Sequence, residues 1–197
     1  MQEKKFEWYD QIENTEDITQ GDIFLNIPIV KVTNSKDILD IANLEDFEGQ
    51  IEIEYADYIV LTQACDLARP KADLKNIILC RIQDVGEVGY GKGKLVDIVE
   101  GKMPQFYMLD KCDTFEYDDG HFRLDEFNHH IVDFNSIQTI EIQTLKKYAS
   151  KINKRLRLLP PYREHLSQAF AKYFMRIGLP SDIDRKEFEK YKKWRRF

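Results

Sequence analysis

The sequence predicts an α+β protein: an antiparallel β-barrel or strongly bent sheet followed by C-terminal amphipathic helices. Three observations support this prediction. Short β-branched and alternating apolar segments recur from residue 20 to residue 142. An Asp118-Asp119-Gly120 hairpin signal lies among them. After residue 142 the apolar spacing changes to three and four residues, which is typical of helices.

Length and composition fit one globular unit. The chain has 197 residues, of which 43% are hydrophobic and 32% charged. The first ten residues lack the apolar centre of a signal peptide, and no apolar window of membrane-spanning length occurs, so we expect a cytoplasmic protein. Three widely spaced cysteines predict reduced thiols, and no metal site is expected because only His129 and His130 lie close together. The glycines of residues 86–93 do not match a nucleotide-binding loop, and no cofactor is expected.

The predicted organisation has three parts. Residues 1–17 form a lead-in segment, residues 18–142 form the β-rich body, and residues 143–197 form a basic helical region packed on that body. The lead-in carries Phe6, Trp8 and Tyr9, which suit packing of aromatic rings on the body. Partial order of this terminus is the alternative interpretation.

Several segments of the body are predicted to be strands. The first runs through GDIFLNIPIVKVT from Gly21, with Pro28 favouring an edge or a bulge. The others are predicted at residues 51–56, 58–62, 76–82, 106–108, 114–117, 121–127, 131–134 and 137–142. Residues 34–49 are predicted to be a short helix or an ordered insertion, and residues 95–99 fit either a strand or a helical turn.

The C-terminal region is predicted to hold two or three amphipathic helices. Residues 143–156 fit the first of them. A second helix follows Pro160 and Pro161 and carries Leu166, Phe170 and Phe174 at helical spacing. Ser181 and Asp184 resemble the start of a third.

Charge is distributed unevenly along the chain. Residues 146–197 hold 16 Lys and Arg against 5 Asp and Glu, a net charge of +11, while the remainder carries −17. The final eight residues, KYKKWRRF, interleave aromatic and basic side chains in the manner of a phosphate-binding tail. The predicted partner-binding residues there are Lys192, Lys193, Trp194, Arg195 and Arg196. The alternative interpretation is that these basic helices dock on the acidic body.

One stretch, DYIVLTQACDLA at residues 57–68, combines a buried-strand pattern with reactive side chains. Because functional groups are often carried on loops held by rigid strands, Thr62, Cys65 and Asp66 are the candidate catalytic residues. Arg69 and Lys71 follow and are candidate partner-binding cations. The alternative interpretation is structural: Cys65 is half-buried at a strand end and Asp66 caps the turn.

Gly21, Asp22, Ile23 and Pro28, together with the strand 58–62, resemble the opening of MazF and PemK-type toxins. The resemblance implies an SH3-like β-barrel and RNA cleavage, with Thr62 in the place of the family's catalytic Ser or Thr. The chain departs from that pattern where the family's catalytic Arg precedes the strand, since Ala56 and Asp57 occupy those positions. RNA cleavage without a cation to stabilise the phosphate charge is hard to support.

These observations favour a non-enzymatic binding or accessory module of a bacterial multi-component system. We expect it to contact a protein or nucleic-acid partner through residues 62–69 and the basic helices. The alternative is a toxin-type nucleic-acid-cleaving enzyme, in keeping with a toxin–antitoxin-like system, which would use Thr62, Cys65 or Asp66. A thiol-dependent hydrolase using Cys65 and a histidine is a third hypothesis.

Overall fold

A computed structural model describes residues 6–33, 50–68, 74–118, 123–124 and 126–175. The strands are β1 (Tyr9–Glu13), β2 (Asp22–Thr33), β3 (Gln50–Val60), β4 (Asn76–Asp84), β5 (Phe106–Leu109), β6 (Tyr117–Asp118), β7 (Arg123–Leu124), β8 (His130–Glu141) and β9 (Lys154–Leu158). The helices are α1 (Ala64–Leu67), α2 (Lys92–Val99), α3 (Ile142–Ala149) and α4 (Tyr162–Phe174).

Seven strands form one antiparallel sheet in the order β1-β9-β2-β3-β4-β8-β5. The predicted α+β class with an antiparallel sheet is therefore confirmed. The described strands do not close this sheet into a barrel, so the β-barrel alternative is wrong. The two edge strands are nevertheless linked by side chains. Tyr9 in β1 donates its hydroxyl hydrogen to the carbonyl oxygen of Asp110, just after β5, at 2.6 Å.

Two pairs of predicted strands are single strands in the structure. The predicted strands at 51–56 and 58–62 are joined in β3, and those at 131–134 and 137–142 are joined in β8. Asp57, which lies between the two predicted strands, is a residue of β3. Its carboxylate accepts a hydrogen bond from the backbone N–H of Asn26 at 2.7 Å, across a bulge in β2 where Asn26 has a φ of 56°.

The predicted helix over residues 143–156 is wrong in its second half. Helix α3 ends at Ala149, and β9 begins at Lys154. Leu156 and Leu158 of this strand are buried in the core, and Arg155, also in β9, is only 1% exposed. Arginine is normally a surface residue, so the sequence does not show that Arg155 is buried. Its burial depends on a partner of opposite charge that lies far away in the sequence.

That partner is Asp22. Its fully buried carboxylate accepts hydrogen bonds from Arg155 Nε at 2.8 Å and from Arg157 Nε at 2.6 Å. The remaining nitrogens of Arg155 donate to the carbonyl oxygens of Glu13, Glu16 and Asp17. We call Asp22, Arg155 and Arg157 the buried ion cluster. It joins β2, β9 and the loop after β1, with each charge matched by hydrogen bonds as burial requires.

Helix α4 packs on the sheet through Leu166, which is fully buried. Gln20 connects this helix to the end of β3, because its side-chain amide donates to Leu61 O at 3.2 Å and to Ser167 Oγ at 2.9 Å. The helix predicted to start at Ser181 lies outside the described residues. No helix in the described part of the chain is long and apolar enough to cross a membrane.

Candidate binding cleft

A cleft of about 550 Å³ lies between the N-terminal segment, β5, the end of α2 and α4. It is lined mainly by apolar and aromatic side chains, with a few polar groups among them. Concave sites of this size and composition are typical of ligand-binding pockets. Among the described residues that line it there is no serine, threonine or cysteine.

One wall of the cleft is a pair of stacked rings. Trp8 lies against Tyr162 with ring centroids 3.7 Å apart and planes within 9° of parallel. The chain is held here by the backbone, since Leu159 N–H donates to Trp8 O at 2.8 Å. Tyr107 completes this side, and burial raises the pKa of its phenol to about 12, so the group stays neutral at physiological pH. The wall is therefore aromatic and uncharged.

A carboxylate–histidine pair lies at one end of the cleft. His129 Nε2 is 3.1 Å from Asp110 Oδ1, and both side chains border the cavity. The adjacent His130 points the other way, as alternation along a strand requires. It is buried against Phe127 with ring centroids 4.0 Å apart, and its Nδ1–H donates to Asn128 O at 2.7 Å. Burial lowers the pKa of His130, so its neutral form is favoured.

Helix α4 presents one face to the cleft. Tyr162, His165, Ala169 and Lys172 all line the cavity, and their spacing of three and four residues places them on the same side of the helix. The core contact, Leu166, and the contact with Gln20 at Ser167 lie elsewhere around the helix. Because Ala169 is small, this face of α4 leaves space above β5.

A second cavity of about 350 Å³ adjoins the first. Helix α2 supplies its wall through Leu95, Val96 and Val99. The two cavities share Val99, Met108 and His129. The cleft and this α2 cavity thus meet at Met108 of β5.

The structure places the sequence-predicted catalytic residues elsewhere. Thr62 is buried, and its Oγ1 accepts a hydrogen bond from the backbone N–H of Ile78 at 2.7 Å. Cys65 is exposed on the short helix α1, and its thiol lies 3.8 Å from the carboxylate of its neighbour Asp66. Within the described chain, none of these three side chains forms a hydrogen bond or ion pair with a histidine or an arginine. Thr62 is therefore committed to the backbone of β4, while Cys65 and Asp66 contact each other.

The predicted partner-binding residues lie outside the described residues. This holds for Arg69 and Lys71 in the loop after α1 and for the terminal group Lys192, Lys193, Trp194, Arg195 and Arg196. The described part of the chain contains no group of three or more His, Cys, Asp or Glu side chains that would hold a metal ion.

Sequence reasoning missed the cleft because its parts come from distant segments. Each part carried a signal that was weak alone: aromatic residues near the N-terminus, the adjacent pair of histidines, and His165 on an amphipathic helix. His165 is exposed and also lines the cavity. Only the pairing of β1 with β9, which brings Tyr9 opposite Leu158, places these segments together.

In comparisons with known proteins, no family model matches the chain, and no curated protein and no solved structure is significantly similar to it.

Proposed function

We propose that this protein is a non-enzymatic binding module that recognises a partner protein through the aromatic cleft. The observation that carries the proposal is the open 550 Å³ cavity, whose lining combines stacked aromatic rings with a few polar groups at its ends. Aromatic side chains provide large contact areas at recognition sites, and a few polar groups fix the orientation of what is bound.

The lining chemistry favours binding over catalysis. Covalent catalysis requires a nucleophile beside a base. The Asp110–His129 pair has the form of an oriented base, but the described residues around the cleft supply no hydroxyl or thiol nucleophile other than the tyrosine phenols. The phenol of Tyr107 is held neutral by burial, which disfavours its use as a nucleophile.

This proposal keeps the class of function predicted from the sequence and changes its recognition surface. Helix α4 belongs to the basic C-terminal region, and it supplies one wall of the cleft through His165 and Lys172. Contacts from residues 62–69 and from the last residues of the chain stay predictions, as does membership of a bacterial multi-component system. The toxin-type nuclease also stays an alternative prediction.

The test is selection of a phage-displayed library of random twelve-residue peptides on the purified full-length protein. Ala169→Phe fills the cleft without removing any polar group, whereas Ala171→Phe places the same ring on an exposed position of α4 that does not line the cavity. We expect peptides selected on the wild-type protein to bind the Ala171→Phe variant equally well. Their affinity for Ala169→Phe should fall at least about tenfold, since a filled pocket excludes their anchoring side chain.

Equal binding to both variants, or no enrichment on the wild-type protein, would contradict the proposal. A parallel incubation with RNA distinguishes the enzymatic alternative. RNA cleavage that Asp66→Ala abolishes without changing the melting temperature would contradict the binding module and support the nuclease.

A further inference from the structure

The shape of the cleft points to a particular mode of binding, which rests on the proposed function. β5 is an edge strand: it pairs with β8 and with no other strand in the described chain. The cleft contacts Phe106, Tyr107 and Met108, three consecutive residues of this strand. Because successive side chains of a strand point to opposite faces, a cavity that reaches all three borders the edge of the strand.

The backbone of β5 has hydrogen-bonding groups that face the cleft. Phe134 N–H donates to Gln105 O at 2.9 Å, while Phe106 N–H turns away from β8 and donates to Met103 O at 3.0 Å. Backbone bonds alternate along an antiparallel pair, so Tyr107 and Leu109 bond to β8. The N–H and C=O of Met108 therefore face outward. An outward edge of this kind is a template for a further strand.

Helix α4 runs alongside this edge in the opposite direction. Near its start, Tyr162 stacks on Trp8, whose neighbour Tyr9 bonds to Asp110 at the end of β5. Near its end, Tyr173 donates to Asn135 at 2.6 Å, and Asn135 lies two residues from Asp133, the partner of Phe106 at the start of β5. The edge strand and the helix thus form the two sides of a groove.

The groove has different charges at its two ends. Lys172 borders the end near Phe106, and Asp110 with its partner His129 borders the other end. The α2 cavity opens beside Met108, while the aromatic wall of Trp8 and Tyr162 faces Tyr107 from the α4 side. A strand added to β5 has side chains that alternate between two faces, and each face meets one of these two apolar cavities.

We propose that the cleft binds an extended segment of a partner protein, which adds as a strand to β5. Main-chain hydrogen bonds to Met108 supply the register, and alternate apolar side chains enter the α2 cavity and the aromatic cleft. An acidic side chain of the segment lies against Lys172. The charge difference between the two ends of the groove sets the direction in which the segment binds.

The experiment uses a peptide selected on the full-length wild-type protein. Each of its amides in turn is N-methylated, which removes one hydrogen-bond donor and leaves the side chains unchanged. We expect the dissociation constant to rise about tenfold at alternate residues, where the N–H faces β5, and to change less than about threefold at the residues between them. Uniform sensitivity, or insensitivity at every residue, would contradict strand addition.

A second measurement follows the strand itself. The chain contains four methionines, so selective ¹⁵N-methionine labelling gives few amide signals. The signal that disappears in Met108→Leu is the amide of Met108. Hydrogen exchange of the Met108 amide should slow at least about tenfold when the peptide binds. Unchanged exchange at Met108 in a peptide complex that Ala169→Phe abolishes would overturn strand addition while leaving the binding module intact.

The charge at the end of the groove is tested by Lys172→Glu. A peptide with an acidic residue should lose about twofold to fivefold in affinity, the size expected for an exposed ion pair, and its Lys-substituted analogue should gain. Lys147→Glu, an exposed change on α3 outside the cleft, is the matched control. Equal effects of the two variants would contradict the contact with Lys172. If a single-stranded oligonucleotide competed with the peptide for this site, the proposed ligand would be nucleic acid and the strand-addition proposal would be wrong.

Discussion

The buried ion cluster and the aromatic cleft both bring together side chains from near the two ends of the described chain, and both contain polar or charged groups, yet they differ in what those groups face. In the cluster, Asp22 and Arg155 are buried, and the carboxylate and all three guanidinium nitrogens of Arg155 make hydrogen bonds within the protein. In the cleft, His165 and Lys172 border open space. Polar groups that are completely satisfied within the fold stabilise it, whereas polar groups that border a cavity remain available to a ligand.

The same comparison explains the residues at the end of β3. Thr62 resembles the residues of the buried ion cluster, because its hydroxyl is buried and accepts a hydrogen bond from the backbone of β4. Asp57 also serves the fold, since it accepts the hydrogen bond that holds the bulge of β2, although its side chain is only partly buried. Cys65 belongs to neither kind, being exposed and outside the cleft. A cluster of reactive residue types in the sequence therefore indicates a functional site only if the fold leaves their side chains without structural hydrogen bonds and beside a cavity.

Asp22→Ala should produce the largest effect. It leaves the guanidinium of Arg155 buried without its carboxylate, and the free energy of unfolding should fall by about 3–5 kcal/mol in urea titration. Lys111→Ala provides the comparison, because it removes an exposed pair with Asp113 and should change the free energy of unfolding far less. Similar losses for the two variants would remove the distinction between the cluster and the protein surface.

Thr62→Val tests whether this hydroxyl is structural. The change keeps the shape of the side chain but leaves Ile78 N–H without its acceptor, so the free energy of unfolding should fall by about 1–3 kcal/mol. Thr62→Ser retains the oxygen and should cost less than about 1 kcal/mol. If thermal unfolding showed no change for Thr62→Val, the hydroxyl would be free for another role, as the toxin-like resemblance implies.

Asp57→Asn should change how stability depends on pH. Burial raises the pKa of Asp57 from 3.8 to about 6, so the folded state binds a proton more tightly than the unfolded state. The contribution of this group to stability is then present at pH 4 and lost as the pH rises through 6. Asparagine retains the oxygen that accepts from Asn26 and carries no charge.

The Asp57→Asn variant should therefore lack this loss and be more stable than the wild-type protein at pH 7 by on the order of 1 kcal/mol, given that Asp57 is partly open to solvent. Urea titrations at pH 4, 5, 6 and 7 provide the measurement. Parallel pH profiles of the two proteins would contradict the raised pKa of Asp57 in the folded state.

Cys65→Ser should have the smallest effect. The thiol is exposed, and the free energy of unfolding should change by less than about 0.5 kcal/mol. Cys65 should react readily with a thiol reagent in the folded protein, while Cys80 should react only after unfolding, because it is buried and its pKa is raised by burial. Loss of a hydrolytic activity in Cys65→Ser would instead support the thiol-dependent hydrolase.

The strands were largely predictable, because their residues carry a local signal. The apolar alternation from Ile23 predicts β2, and the apolar stretch from Ile77 to Ile82 predicts β4, which lies between β3 and β8 inside the sheet. The helix through Leu166 was likewise indicated by its spacing. Strand β9 was not, since Arg155 gives no local sign that it will be buried with a carboxylate near the other end of the chain.

The cleft was not predictable for a different physical reason. Its wall depends on Trp8 stacking on Tyr162, and its floor depends on β5 being left at an edge. Both are properties of the strand order, which the alternation of apolar residues within each strand does not determine. The adjacent histidines illustrate this: the sequence shows the pair, but the contact of His129 with Asp110 depends on the register of β5 on β8.

The pairing of β1 with β9 has a consequence for synthesis of the protein. Tyr9 lies opposite Leu158, and Trp8 completes the cleft only by stacking on Tyr162. The N-terminal segment therefore cannot pack until β9 and the start of α4 have left the ribosome. Contacts between such distant residues form late in folding. A nascent chain that stops before α4 therefore has no recognition groove, and only a chain translated through α4 presents the binding surface.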